Sequence, residues 1–189
     1  MITSLATSFF VILLAEIADK TMFLTIGLST KLKKLQLILG IFLATVVVML
    51  IPVLLGEWLN RILPKATLIL ASGLLFIIIG IFWFLEREES KEGEKTFNLP
   101  DFLKAFLVFF LAEMGDKTQL STFSLAIRFD DLLPVWIGAS LGLFLPNLII
   151  AFLCCTFLAK LNTKVLRFVA GGIFLAIGII VILEYWGII

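Results

Sequence analysis

Two stretches of seven residues carry the groups that could do chemistry. Ala15-Glu16-Ile17-Ala18-Asp19-Lys20-Thr21 and, 97 positions later, Ala112-Glu113-Met114-Gly115-Asp116-Lys117-Thr118 set carboxylates and a lysine inside runs that are otherwise apolar. A charge at the middle of a lipid-spanning helix costs roughly 2.5–3.5 kcal/mol on insertion scales, so six of them need a compensating function. If each run is one helix, Glu16, Asp19 and Lys20 share a face, as do Glu113, Asp116 and Lys117, because residues three and four apart are neighbours. Four carboxylates against two lysines leave a formal excess of two negative charges, which a divalent cation or protons would offset. The competing reading is structural: Glu16–Lys20 and Glu113–Lys117 pairs that only tie the helices together.

The donor set narrows the ion. Histidine is absent, and Cys154 and Cys155 are adjacent in an apolar run, a spacing that suits packing and not a metal or disulfide framework. The oxygens that remain are those of Glu16, Asp19, Glu113 and Asp116, with Thr21, Thr25, Thr118, Gln119, Ser121 and Thr122 nearby. Such a set suits hard cations, Mn²⁺, Ca²⁺ or Mg²⁺, over zinc or copper. Each hydroxyl has an alternative use, bonding to its own helix backbone. Asn147, beside Pro146, is either an additional ligand or an interhelical hydrogen-bonding group.

The elements that must hold these residues follow from composition. With 61% hydrophobic and 15% charged residues and a mean hydropathy of +1.17, the chain has too little polar surface to cover a water-soluble domain. A net charge of +1 and the lack of a basic, aromatic-interleaved patch exclude nucleic acid as a partner. The expected fold is an all-α membrane protein. Six apolar runs, 4–29, 35–55, 66–85, 101–127, 133–158 and 165–186, are each near the roughly 20 residues that cross a bilayer. The first carries charge and lacks a basic leader, so it is expected to be a retained span and not a signal peptide.

The two halves correspond beyond the motif: Leu39-Gly40 with Ile137-Gly138, and Ala71-Ser72-Gly73 with Ala170-Gly171-Gly172. The expected organisation is a three-helix repeat over 1–85, an acidic linker over 86–100 and a second repeat over 101–189. Three spans per half invert the second repeat, the arrangement of many secondary transporters, with the two clusters facing each other near mid-membrane. Lysines and arginines concentrate in loops 1–2, 3–4 and 5–6, which predicts both termini outside and the linker cytoplasmic. Trp58, Trp83, Trp136 and Trp186 read as interface anchors. Gly138, Gly142, Gly171, Gly172, Ala176 and Gly178 read as close helix contacts.

The doubled motif, the six spans and the acidic central linker resemble the Gdt family of small cation transporters, within the LysE superfamily, whose mark is two copies of E-φ-G-D-K/R-T/S. The resemblance covers essentially the whole chain. Glu113 to Thr118 fits the motif throughout; in Glu16 to Thr21, Ala18 stands where the family has glycine. Alanine favours helix over glycine by about 1 kcal/mol, so local unwinding is less expected in the first span. The resemblance implies transport of Mn²⁺ or Ca²⁺, often in exchange for protons, with no resident cofactor. On this basis the chain is expected to be a transporter and not an enzyme, exporting Mn²⁺ or Ca²⁺ across a bacterial cytoplasmic membrane. Glu16, Asp19, Glu113 and Asp116 would bind the ion, Lys20 and Lys117 would tune it, and Thr21, Thr118, Gln119 and Asn147 would be secondary ligands. A divalent-cation channel and an amino-acid exporter remain as alternatives. An intramembrane aspartyl hydrolase is disfavoured, because each aspartate is followed by a lysine and a proton-sharing dyad needs carboxyls free of that pairing. Homo-oligomerisation is left open.

Overall fold

Long runs of Leu, Ile, Val and Phe leave the backbone no water to bond, so each run must satisfy its own N–H and C=O groups as a helix. The computed structural model describes residues 1–16, 19–85, 99–153 and 163–187, and every regular element among them is a helix. In chain order these are α1 (Ile2–Glu16), α2 (Lys20–Ser29), α3 (Lys34–Ile62), α4 (Lys65–Leu85), α5 (Asp101–Glu113), α6 (Lys117–Phe129), α7 (Leu132–Leu153) and α8 (Thr163–Tyr185). Lys34–Ile62 and Leu132–Phe152 are each long and apolar enough to cross a membrane, and shorter apolar helices accompany them. The linker over 86–98, Cys154, Cys155, Lys160 and Ala18, and the side chains of Lys20, Trp83, Lys164 and Arg167 lie outside the described residues.

Two expected spans are not single helices. The run over 4–29 divides into α1 and α2, and that over 101–127 into α5 and α6, each at the charged motif. The second run also continues past its expected end: Pro52 lies inside α3, which extends to Ile62 with a Glu57–Arg61 ion pair of 2.6 Å in its final turns. A proline removes one backbone bond, and the remaining ladder carries the helix on.

Packing crosses the halves. α1 lies on α7, α3 on α5, and α4 on α8, while α6 touches α1, α3, α4 and α7. Glycines set these approaches. A Cβ on Gly138 would stand 2.4 Å from the Leu5 carbonyl oxygen and 3.1 Å from the Ser8 Cβ, and one on Gly40 would stand 2.7 Å from both the Phe102 carbonyl and the Ala105 Cβ. Gly40 and Gly138 are repeat counterparts, as are Ala105 and Ser8, so the two seams have the same register. Gly73 and Gly178 bring α4 against α8, whereas Gly172 has open space and is not a contact glycine. Phe76 and Phe174 meet at 5.9 Å between those two helices. Trp58 and Trp186 are exposed, as anchors would be. Trp136 instead donates its indole N–H to the Val46 carbonyl at 2.9 Å and packs on the core.

Candidate metal centre

Both motifs interrupt their helix between the glutamate and the lysine. α1 ends at Glu16 and α5 at Glu113. The Asp19 N–H bonds to the Glu16 carbonyl at 3.1 Å and the Asp116 N–H to the Glu113 carbonyl at 3.2 Å. Asp19 (φ −83°, ψ 170°) and Asp116 (φ −79°, ψ 167°) then take extended conformations and occupy the N-cap positions of α2 and α6. In the second motif the turn passes through Gly115 at φ +77°, a left-handed conformation that glycine adopts without a steric penalty. The carboxamide of Gln119 accepts from the Gly115 N–H at 2.9 Å and donates to the Val48 carbonyl at 3.2 Å.

This overturns the expected geometry, in which each cluster was one patch on a continuous helix. The interruption less expected in the first span occurs there too, at Asp19, against alanine's helix preference of about 1 kcal/mol. Glutamate and aspartate therefore lie on opposite sides of a break, and the helix-initiating N–H groups of α2 and α6 begin beside the acidic groups, a favourable position for negative charge.

The breaks of the two halves adjoin. Glu16, Asp19 and Glu113 each offer a carboxylate oxygen, these oxygens lie within 4.8 Å of one another, and all three residues are buried. Thr21 Oγ1 donates to Glu16 Oε1, and its counterpart Thr118 Oγ1 donates to Glu113 Oε2 at 2.8 Å. Asn147 Nδ2 donates to Glu16 Oε1 at 2.9 Å, while its Oδ1 accepts from Thr25 Oγ1 at 2.7 Å. Asn147 is thus an interhelical hydrogen-bonding group that holds Glu16. Lys117 Nζ bonds Asp19 Oδ1 at 2.7 Å. That contact joins the halves, which the within-helix pairs of the structural reading do not do.

Asp116 is half-buried and is not part of the three-carboxylate group. Ser121 and Thr122 hydroxyls donate to the Lys117 and Thr118 carbonyls, at 2.7 and 2.8 Å, which is the backbone use and not ligation. Gln119 braces the break. One position was missed: Met49, the counterpart of Asn147, sets its thioether 3.2 Å from the Thr122 hydroxyl oxygen, so the two half-sites are chemically unequal. Its repeat position alone marks it in the sequence.

Among the described residues, the three carboxylates and the Lys117 ammonium carry a formal excess of two negative charges in a buried volume. Oxygen donors with that excess match a divalent, hard cation.

Similar proteins agree with this chemistry. The family model described as divalent cation/proton antiporter GDT1 matches residues 4–91 and again 101–188. A Vibrio cholerae protein described as a candidate manganese exporter is 32% identical over 178 residues, covering 90% of this chain and 86% of that protein. A GDT1-like protein of Synechocystis is 26% identical, covering 92% of this chain and 87% of its own length, and one of Schizosaccharomyces pombe is 23% identical, covering 94% and 81%. No solved structure matches the chain. A family model that recurs over both halves, each containing one copy of the acidic motif, assigns the chain to the GDT1 family of divalent cation/proton antiporters.

Proposed function

We propose that the chain exports Mn²⁺, with Ca²⁺ as a second cargo, from the cytoplasm across a bacterial inner membrane in exchange for protons. The observation that carries this is the meeting of Glu16, Asp19 and Glu113, from both halves, within 4.8 Å in a buried site. The manganese assignment draws on the name of the Vibrio cholerae relative. Glu16, Asp19 and Glu113 bind the ion, and Asp116, at the N-terminus of α6, completes the acidic set from its edge. Thr21 and Thr118 orient the glutamates, and Asn147 holds Glu16. Lys117 restrains Asp19 and sets how strongly the site attracts a dication; Lys20 has the same role by its place in the sequence. When the ion leaves, protons replace it on the same carboxylates, so charge in the buried volume stays compensated.

The architecture proposed for this activity has six spans, with α1–α2 and α5–α6 as broken ones and α3, α4, α7 and α8 continuous. The repeats cover 1–85 and 101–189 in opposite orientations, the linker over 86–100 is cytoplasmic, and both termini lie outside. Broken helices at a midplane site between inverted repeats are a recurrent transporter design. Purified protein in liposomes, with Mn²⁺, Ca²⁺ and Mg²⁺ flux followed under an imposed pH gradient, tests the reading. Uphill Mn²⁺ movement driven by the proton gradient is expected. Flux that only follows the ion's own gradient would mark a channel, and competition by amino acids an amino-acid exporter; either overturns the proposal.

A further inference from the structure

Asn147 and Met49 hold the same place in the two repeats, nine residues after Gly138 and Gly40, and both are buried. In the α1–α7 half the geometry of that place is explicit. Asn147 accepts from the Thr25 hydroxyl at 2.7 Å and donates to Glu16 Oε1 at 2.9 Å, so it stands between the threonine and the glutamate. In the α3–α5 half the Met49 sulfur is 3.2 Å from the hydroxyl oxygen of Thr122, the counterpart of Thr25. That hydroxyl's proton goes to the Thr118 carbonyl at 2.8 Å, so the thioether's lone pairs accept nothing from it. Next to Met49, the Val48 carbonyl takes the Gln119 amide that also braces Gly115, so this turn of α3 abuts the second break. Glu113 begins that break, as Glu16 begins the first.

We propose that the Met49 thioether faces the bound ion from the Glu113 side and makes the site prefer a transition-metal dication to Ca²⁺ and Mg²⁺. This deepens the function proposed above and rests on it. Two hydrogen bonds fix the Asn147 amide, whereas a methionine has a polarizable sulfur on freely rotating bonds and can turn toward an ion. Ca²⁺ takes about six to eight oxygen ligands, and Mg²⁺ gives up its waters reluctantly. A sulfur on that side supplies no hard oxygen, so it costs the alkaline-earth ions more than Mn²⁺ and the later transition ions, which bind mixed sites of nitrogen, oxygen and sulfur. The carboxylates then set the charge of the cargo, and the thioether sets its softness.

Metal affinities of the full chain test this, in a parent carrying Cys154→Ala and Cys155→Ala so that no thiol competes for a soft ion. Cd²⁺ is nearly the size of Ca²⁺ but soft, so that pair separates donor type from fit. Calorimetry should show Mn²⁺ and Cd²⁺ binding more tightly than Ca²⁺. Met49→Leu, a swap that conserves volume, should narrow both leads by about tenfold or more. Met114→Leu, which removes an exposed thioether at the same break, should leave them unchanged. X-ray absorption of the Cd²⁺-loaded parent should show a sulfur neighbour that is lost in Met49→Leu and kept in Met114→Leu. Unchanged ratios in a Met49→Leu protein that binds Mn²⁺, or a cadmium shell of oxygen alone in the parent, would overturn the inference and leave the proposed transporter standing. A parent chain that binds none of these ions would overturn both.

Discussion

At the scale of single residues, the Lys117–Asp19 bond separates a scaffold from a site. Both side chains are largely buried, 12% and 5% exposed, and removing one partner of a buried pair is destabilising, by up to about 3–5 kcal/mol. Lys117→Gln is therefore expected to lower the unfolding midpoint, and adding Asp19→Asn to recover most of the loss. If the pair only ties helices together, transport should recover with stability. The proposed ion site predicts a folded double variant that does not move Mn²⁺, read by thermal unfolding beside liposome flux. Thr118→Val should weaken Mn²⁺ binding without unfolding the chain, since it frees Glu113 from the bond that aims it; calorimetric affinity equal to wild type would refute that orienting role.

At the scale of elements, the two broken helices are the devices that turn a costly pair of acidic clusters into one pocket. Gly115 at φ +77° is the position where backbone strain can be tested, since an L side chain in that region costs about 1–2 kcal/mol. Gly115→Ala is expected to lower stability by that order and to weaken Mn²⁺ binding by displacing Glu113 relative to Asp116. A variant with the wild-type melting curve would show that the α5–α6 turn relaxes freely. Just before α7, the Ser4 hydroxyl and then the Met1 amino group bond the half-buried Asp131 and hold its carboxyl below the ordinary range. A depressed folded-state pKa contributes stability above the unfolded value, near 3.9, and loses it as pH falls through the folded one. Asp131→Asn should therefore flatten the acid side of the stability profile below about pH 4 and leave neutral pH nearly unchanged. A profile with the same acid slope in both proteins would exclude this contact as its source.

At the scale of the whole molecule, one shared site predicts one Mn²⁺ per chain, lost on either Glu16→Gln or Glu113→Gln. Two equivalents in calorimetry, or half the stoichiometry at unaltered affinity in one variant, would show independent sites. The proposed topology predicts that a tag within the 86–98 linker is protected from impermeant reagents in intact cells while tags at both termini are labelled. Reagent reaching the linker from outside would reverse the orientation.

Residue identity and spacing were enough to determine the acidic repeat, its partners by type and the hardness of the ion, because these depend on composition and on a 97-residue offset visible without coordinates. The helical class followed as well, since an apolar run leaves the backbone no other way to satisfy its bonds. Where each helix stops did not follow: the first and fourth apolar runs are each divided at the charged motif, and α3 runs past Pro52 to Ile62. Only the tertiary structure decided that Lys117 pairs with Asp19 of the other half, that Asn147 serves Glu16 while Met49 takes the matching place, and that Asp116 stays outside the group of three. Each of these depends on how elements remote in the chain pack together, and no periodicity within one helix encodes that packing.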